Sequence, residues 1–511
     1  MSYSDGAGQP EVVPAISSST GVNMEEVLGK PDGALKPLDF NGPYGMLIDG
    51  EIVSTSEGFD VFNPADNRVL ASAPAGASAD MNAAIAAAKR AFPSWAALSA
   101  DQREEYIVAL FSALEAHKEE FITLLSLEQG KPRHNQASFE VNLANPWIPE
   151  TAKSRLKDQV LEEDDERRVE LRRSPLGVVG AIIPWNYPYL HVLWKSVPAL
   201  ITGNSVVLKP SPYTPLCALR IGELAAQVLP PGVFNVVTGG NELGQILTEH
   251  PDVAMITFTG STATGAKIMA ACAGTIKRVT LELGGNDPAI LLPDADWKDA
   301  VPKVFAAAYG NSGQWCIAAK RIYVHRSFHD DFVEAFVEYG KTQKVGDGMD
   351  PTSDLGPINN RMQYDKLRDL FADTQRNGYR VPLGGTIDES LDGNFVPITV
   401  VDDPPEDSRV VQEEPFGPIV PILVYDDIDE VVQRANSTVY GLGATVWASD
   451  LDAALDVASR LDSGNVWING GQSHPLHAPF GGHKQSGLSV EHGDEGLASH
   501  TNNKTLVIRK R

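Results

Sequence analysis

The chain has 511 residues, more than one hydrophobic core usually serves, so the length predicts two or more domains. Its 42% hydrophobic content is ordinary for a globular protein and excludes a disordered one. The formal net charge of −25 argues against nucleic acid or an anionic membrane as a partner. We interpret it as a surface that promotes solubility, which leaves room for a local basic pocket.

The three cysteines, Cys217, Cys272 and Cys316, lie far apart with no CxxC pair, which favours a reducing cytoplasm over a disulfide framework or a structural zinc site. The N-terminal residues carry neither a basic segment nor an apolar one, so no secretory signal is expected. No apolar run reaches the roughly 18 residues of a membrane span.

Residues 1–44 are rich in Ser, Gly and Pro, and we expect a flexible or surface-wrapping arm. A hairpin is predicted near Met46–Val53. Two amphipathic helices follow, the first capped by Asp80 and the second running from Asp101.

From Val178 onward, short apolar runs alternate with helix-like stretches, which predicts a parallel, doubly wound α/β sheet. A second α/β unit is expected after a boundary near Gly284-Gly285. The first series of strands is predicted at 178–183, 206–208, 233–237 and 254–258, and the second at 288–292, 321–324 and 419–423.

Cys316, in Gly313-Gln314-Trp315-Cys316, is the candidate nucleophile. We expect it on a tight loop that enters a helix, whose N-terminus would favour the thiolate. A buried structural cysteine is the alternative, and it suits Cys217 and Cys272 better.

Glu282 lies 34 positions before Cys316, after the apolar Val279-Thr280-Leu281. A carboxylate in such surroundings either pairs with another group or has a raised pKa suited to base catalysis. A thiol and a carboxylate in these settings suggest a nucleophile and a base that activates water.

Together with Pro184-Trp185-Asn186-Tyr187-Pro188 and Phe258-Thr259-Gly260-Ser261-Thr262, these residues make the chain resemble the aldehyde dehydrogenases from about Met46 to its end. The resemblance implies a Rossmann-like cofactor domain, an α/β catalytic domain and a β-ribbon oligomerisation arm. The corresponding ranges are 45–153 with 174–285, 286–485, and 154–173 with 486–511. It also implies a homodimer or homotetramer.

In the resembling family Cys316 forms a thioester, Glu282 activates the water that hydrolyses it, and Asn186 stabilises the oxyanion with the Cys316 backbone N–H. Glu282 disfavours transfer of the acyl group to coenzyme A, because relatives that do so usually lack this glutamate. Glu491 matches a second carboxylate thought to relay protons, although Ser489-Val490 before it departs from the family's pattern.

Gly260 to Gly265 follows a predicted strand and should open a helix whose backbone N–H groups can meet a pyrophosphate. The resemblance implies NAD or NADP, with NAD slightly favoured. Pro212 leaves the choice open, because many NAD-preferring relatives carry a glutamate there. The implied cofactor contacts are Ile182, Ile183, Pro184, Trp185, Lys209, Ser211, Gly260, Ser261, Gly265, Leu283, Glu414 and Phe416.

The resemblance also implies an aldehyde channel of Tyr187, His191, Trp194, Trp315, Ile317 and Phe480. The spacing of Tyr187, His191 and Trp194 would place them on one face of a helix, although packing against the core explains that spacing as well. Trp194 occupies a position where succinate-semialdehyde relatives carry arginine, which weakens the case for a dicarboxylic substrate.

An aromatic channel favours aromatic or medium-chain aldehydes, and betaine or amino aldehydes are the alternative through cation–π contact. A catalytically silent relative is the second alternative, and the presence of Cys316, Glu282, Asn186 and Lys209 speaks against it. No metal site is predicted, and we expect His483, His492 and His500 at the surface. Asn286 stands where the family frequently has lysine.

Overall fold

The computed structural model describes residues 39–510. Of the predicted N-terminal arm, residues 1–38 lie outside the described residues, whereas Tyr44 is buried with its ring 3.9 Å from the Arg220 guanidinium carbon. No helix in the described part of the chain is long and apolar enough to cross a membrane.

The strands and helices alternate through most of the described chain. The strands are β1 Met46–Ile48, β2 Glu51–Val53, β3 Gly58–Asn63, β4 Arg68–Pro74, β5 Gln159–Glu163, β6 Arg167–Pro175, β7 Val178–Ile182, β8 Ser205–Lys209, β9 Phe234–Val236, β10 Val253–Thr259, β11 Arg278–Glu282, β12 Asp287–Leu291, β13 Ala319–His325, β14 Arg380–Leu383, β15 Thr399–Asp402, β16 Ile419–Tyr425, β17 Gly443–Trp447, β18 Asn465–Ile468, β19 Gly487–Leu488 and β20 Thr501–Arg509. The α-helices are α1 Ser78–Ala97, α2 Ala100–Ala116, α3 Lys118–Gln129, α4 Ser138–Ala152, α5 Pro188–Ile201, α6 Leu216–Val228, α7 Asn241–Glu249, α8 Thr262–Ala273, α9 Trp297–Tyr309, α10 His329–Lys341, α11 Arg361–Arg376, α12 Arg409–Gln412, α13 Ile428–Asn436, α14 Leu451–Arg460 and α15 Gly493–Ser499.

The first large sheet has the order β19-β11-β10-β7-β8-β9-β1-β2, and its strands β11, β10, β7, β8 and β9 are parallel. Because parallel strands end at the same edge of a sheet, the last residues of neighbouring strands lie side by side. Ile182 pairs with Lys209, and Thr259 pairs with Glu282. The sheet therefore has four residues of the candidate site or next to it at one edge: Ile182, Lys209, Thr259 and Glu282.

The second large sheet has the order β14-β15-β16-β13-β12-β17-β18, parallel except for β14. Buried apolar side chains cover both faces of its central strands, as the continuous apolar runs predict. Asp287 begins β12 and pairs with Ala319 at the start of β13. Cys316 therefore lies at the entrance to this sheet. The two sheets confirm the predicted α/β fold class.

A third sheet, β20-β6-β5, forms a ribbon. The predicted charged turn connects β5 to β6, and β20 pairs with β6 from Thr501 opposite Pro175 to Arg509 opposite Arg167. Several apolar side chains of this ribbon are exposed, namely Val160, Leu161, Val507 and Ile508.

The predicted cap of the first helix is wrong by three residues. Ala77 is the residue before α1, and the Asp80 carboxylate accepts a 2.8 Å hydrogen bond from the Ala77 backbone N–H. The second helix, predicted from Asp101, begins one residue earlier, and Ser99 caps α2 by accepting from the Gln102 N–H at 3.1 Å. In each helix an acidic residue in the first turn, Asp80 or Asp101, still interacts favourably with the positive end of the helix dipole.

Candidate active site

Cys316 lies on a loop that leads into strand β13, so the predicted helix after it is wrong. Ala319 already pairs with Asp287, and sheet pairing overrides the helix propensity of Ile317-Ala318-Ala319. Asn311 and Ser312, which precede the loop, have positive φ angles of 51° and 55°. Such conformations persist only where surrounding contacts enforce them.

Gln314 supplies several of those contacts. Its Oε1 accepts from the Asn359 N–H at 2.9 Å, and its Nε2 donates to the Asn311 carbonyl at 3.0 Å. Gln314 is buried. The residue two positions before the nucleophile thus ties the loop to a distant segment of the chain.

The surroundings of the Cys316 thiol disfavour its ionised form. Its pKa is raised to about 12, chiefly by burial; the Lys320 ammonium opposes this shift, and the carboxylates of Asp287, Glu414 and Glu282 add to it. The Cys316 loop does not open a helix, so the expected helix N-terminus does not stabilise the thiolate. The Lys320 ammonium supplies positive charge near the thiol instead.

Asn186 is buried next to this loop, and its Nδ2 donates to the Gln314 carbonyl at 3.0 Å. An amide nitrogen carries two hydrogens, so one remains for a ligand oxygen. The Asn186 backbone carbonyl accepts from Lys131 Nζ at 2.9 Å and from Asn311 Nδ2 at 3.0 Å. These bonds fix Asn186 from both its ends.

Glu282 ends β11 and is buried with both carboxylate oxygens lacking a partner among the described residues. Burial raises its pKa well above the usual range, and the Glu491 charge adds to this shift, while Lys195 opposes it. Of the two alternatives in the sequence, the structure supports the raised pKa. A raised pKa makes the ionised carboxylate a stronger base, which suits it to accept a proton from water.

Glu491 forms a buried ion pair with Lys195 on α5 and accepts a 3.3 Å hydrogen bond from Thr257 Oγ1. Backbone bonds of 2.7 Å in both directions join Glu491 to Phe480. The pair lies close enough to Glu282 to affect its titration. Lys195 carries no signal in the sequence, because only the folding of α5 against residue 491 brings it here.

A cavity of about 200 Å³ brings together the expected aldehyde channel. The Tyr187 ring lies 5.5 Å from that of Trp315, and the His191 ring 6.0 Å from that of Trp194. Its lining contains all of the expected channel residues together with Cys316, Glu282 and Glu491: Tyr187, His191, Trp194, Trp315, Ile317 and Phe480.

The channel also contains aromatic and histidine side chains that sequence reasoning missed, namely Phe139, Trp147, His474 and His492. The prediction that His492 and His500 lie at the surface is wrong, since both are buried, whereas His483 is exposed. The His492 ring lies 4.4 Å from that of Trp194, and burial lowers the pKa of His492 well below its usual range. The sequence signal that could have placed His492 in the site is that it directly follows Glu491, a predicted site residue.

A second cavity of about 160 Å³ lies on the other side of Cys316. The Trp185 and Phe416 rings meet edge to face at 5.4 Å, and Glu414 Oε1 accepts from the Gly285 N–H at 3.1 Å. The expected cofactor contacts in its lining are Pro184, Trp185, Gly260, Ser261, Leu283, Glu414 and Phe416, and the catalytic candidate Asn186 lines it as well.

A third cavity of about 510 Å³ lies along α7 and α8 and is lined by Ile182 and Lys209 among others. Lys209 is buried, and burial lowers its pKa to about 8. The hydrogen bond that its Nζ makes within the described residues is a long one, 3.4 Å to the Pro210 carbonyl. Donors of this ammonium group are therefore available to a ligand hydroxyl or phosphate, so the residues fit a dinucleotide.

Three expected cofactor contacts do not line these cavities. Ile183 is buried and donates its N–H to the Lys209 carbonyl at 3.2 Å. Ser211 accepts from the Tyr213 N–H at 3.3 Å. Gly265 lies inside α8, where an added Cβ would come within 2.5 Å of Leu283, so its role here is close packing. Ser261 Oγ accepts from the Thr264 N–H at 3.3 Å and caps α8, as expected of a loop that opens a helix.

Among residues 39–510, no group of three or more His, Cys, Asp or Glu side chains could hold a metal ion.

A model of the aldehyde dehydrogenase family matches residues 52–506. Aldehyde dehydrogenase LUC3 of a Fusarium species is 39% identical over 474 residues, which cover 93% of this chain and 100% of that protein. Phenylacetaldehyde dehydrogenase of Pseudomonas fluorescens is 38% identical and covers 91% and 96%. A solved structure of betaine aldehyde dehydrogenase of Staphylococcus aureus with NAD⁺ has a TM-score of 0.87 at 33% identity, covering 91% of this chain and 94% of that one.

Proposed function

The chain belongs to the aldehyde dehydrogenase family, and we propose that it oxidises an aromatic or medium-chain aliphatic aldehyde to its carboxylic acid through a Cys316 thioester. The observation that carries the proposal is that Cys316 lines two cavities at once. One contains Glu414 and Phe416, and the other contains the aromatic channel. A thiol at this junction can hold an aldehyde carbon beside a nicotinamide ring.

In the first half-reaction the Cys316 thiol gives up its proton to solvent, and the thiolate sulfur attacks the aldehyde carbon, whose carbonyl oxygen becomes an oxyanion. The free N–H of Asn186 and the Cys316 backbone N–H are the proposed donors to this oxygen, each worth about 3–4 kcal/mol in the transition state. When bound, NAD(P)⁺ supplies the acceptor for the hydride that leaves the same carbon. The thiohemiacetal then becomes a thioester on Cys316.

In the second half-reaction Glu282 removes a proton from a water molecule, whose oxygen attacks the thioester carbon and releases the acid and the Cys316 thiolate. Its unpartnered oxygens leave it able to accept that water's hydrogen bond. We propose that Glu491, paired with Lys195, accepts the proton from Glu282 in turn. Both glutamates line the same cavity, which supports this role.

The proposed cofactor residues include Lys209 for the adenosine ribose, the Gly260-Ser261 backbone for the pyrophosphate, and Glu414 for the nicotinamide ribose. Members of the family use NAD or NADP, and we propose NAD with some use of NADP. Pro212 removes both a hydroxyl acceptor and a charge that would repel a 2′-phosphate, so it supports tolerance of either cofactor.

The substrate class follows from the channel. Its wall is predominantly aromatic, and an arene or a hydrocarbon chain gains by burial and by edge-to-face contact with such rings. The similarity to a phenylacetaldehyde dehydrogenase supports an aromatic substrate. Betaine or amino aldehydes remain the second candidate, because Trp147, Trp194 and Tyr187 could also face a quaternary ammonium group.

The test is the initial rate of NADH or NADPH formation with benzaldehyde, hexanal, betaine aldehyde and succinate semialdehyde, each with both cofactors. We expect the highest kcat/KM with benzaldehyde or hexanal and identify the acid product by chromatography. Preference for betaine aldehyde would favour the second candidate. Acyl-CoA formation in the presence of coenzyme A would contradict hydrolysis, and no turnover with retained cofactor binding would favour a catalytically silent relative.

The domain ranges given above, the cytoplasmic location and the homo-oligomer are also proposals. The exposed apolar residues of the β5–β6–β20 ribbon support its role as an oligomerisation arm. Changing Val507 and Ile508 to serine should convert an oligomer to a smaller species in sedimentation experiments if the ribbon has that role.

A further inference from the structure

Lys320 connects the nucleophile's loop to the cofactor side of the site. It is the second residue of β13 and is buried, with an exposed side-chain fraction of 3%. Its Nζ donates to the Cys316 backbone carbonyl at 2.5 Å and lies 3.3 Å from Glu414 Oε1. One ammonium group thus touches both the residue that carries the thiol and a proposed ligand of the cofactor ribose.

The charged groups around Lys320 indicate a role beyond packing. Asp287 begins the adjacent strand β12 and is buried, and no side chain among the described residues donates a hydrogen bond to its carboxylate. Gly284 has no side chain, and a Cβ there would come within 2.4 Å of Glu414 Oε2. Lys320 is therefore a buried cation next to the carboxylates of Asp287 and Glu414.

We propose that Lys320 is a positioning residue, which fixes the Cys316 loop through its carbonyl, holds Glu414 toward the cofactor and supplies positive charge that favours the Cys316 thiolate. The inference rests on the proposed role of Cys316 as the nucleophile. The sequence alone does not predict this role of Lys320, because a lysine four residues after a cysteine is ordinary on its own.

The charges that face the Cys316 thiol come from four segments: Lys320 on β13, Asp287 on β12, Glu282 on β11 and Glu414 after α12. Lys320 is the cation of this set, and the other three disfavour the thiolate. Loss of Lys320 should therefore raise the pKa of the thiol, whereas loss of the Asp287 charge should lower it. A role limited to packing would produce neither shift.

The test is the pH dependence of iodoacetamide alkylation of the cofactor-free enzyme, which reads the thiol without turnover. Cys316→Ala gives the background from Cys217 and Cys272, which are buried. In Lys320→Met we expect the pH midpoint of alkylation to rise, with at least about a tenfold lower rate below the midpoint for each unit of rise. NADH binding, measured by fluorescence, should weaken because Glu414 loses its cationic partner and keeps only the hydrogen bond from the Gly285 N–H.

Lys320→Arg keeps the charge and should restore most of the alkylation profile. If Lys320→Met does not fold, Asp287→Asn is compared with Asp287→Asn/Lys320→Met, which removes both charges, and the double variant should have the higher midpoint. The inference is overturned if the lysine variants fold with unchanged alkylation and NADH binding. Failure of the aldehyde panel with a shifted alkylation profile would instead contradict only the proposed function.

Discussion

Lys131 donates a 2.9 Å hydrogen bond from Nζ to the backbone carbonyl of Asn186. The same ammonium group forms a buried ion pair of 2.5 Å with Glu140, and both side chains have 0% exposure. Glu140 in turn accepts from the Leu190 N–H at 3.0 Å, in the first turn of α5. The proposed oxyanion donor is thus held by a charged pair that does not itself touch the substrate cavity.

We predict that Lys131→Met lowers the free energy of unfolding by about 3–5 kcal/mol, because it leaves the Glu140 carboxyl buried without its partner. It should also lower kcat, because the Asn186 backbone loses a donor. Urea unfolding and steady-state kinetics measure the two effects on one preparation.

The control is Lys131→Met/Glu140→Gln, which removes both charges and keeps an acceptor for Leu190. Most of the stability should return while kcat stays low. Recovery of kcat together with stability would show that Lys131 affects activity only through folding.

The amide of Asn186 can be tested separately. Asn186→Ala should lower kcat by about 10²–10³-fold, the usual loss for one oxyanion donor, with little change in cofactor affinity. Asn186→Asp, of nearly the same shape, should lose as much, because a carboxylate cannot donate. An alanine variant with a kcat close to that of the parent would contradict the assignment.

The lowered pKa of Lys209 predicts that the preference between NADP⁺ and NAD⁺ depends on pH. Burial lowers its pKa to about 8, so the amine is charged below that pH and neutral above it. A dianionic 2′-phosphate should need the charge more than a ribose hydroxyl does. We therefore expect kcat/KM for NADP⁺ to fall more steeply than that for NAD⁺ as pH rises through about 8. In Lys209→Met the two profiles should become parallel, and parallel profiles in the parent enzyme would contradict the prediction.

The α/β class and most strands were predictable, because buried parallel strands leave continuous apolar runs such as Val178 to Ile182. The channel residues came from the resemblance, and the cavity brings them together beside Cys316. The helix after Cys316 was not predictable correctly, since its local sequence is compatible with a helix and the pairing of Ala319 with Asp287 decides the outcome.

The lysines of the site could not be found from sequence. Lys131 contacts Asn186, 55 positions away, and Lys195 contacts Glu491, 296 positions away. Neither lysine is distinguished in the sequence, because only the fold buries each one against a carboxylate. His492 was misplaced at the surface for the same reason, because its burial depends on Trp147 and Trp194 from two helices.

The most direct test of the account is mass spectrometry of acid-quenched Glu282→Gln enzyme after mixing with benzaldehyde and NAD⁺. Glutamine keeps the shape of the side chain and cannot act as the base, so hydrolysis should become slower than thioester formation. We predict one equivalent of NADH in a burst and a benzoyl group on the peptide that contains Cys316, both absent from Cys316→Ala/Glu282→Gln. A burst of NADH with no acyl group on that peptide would contradict the thioester mechanism.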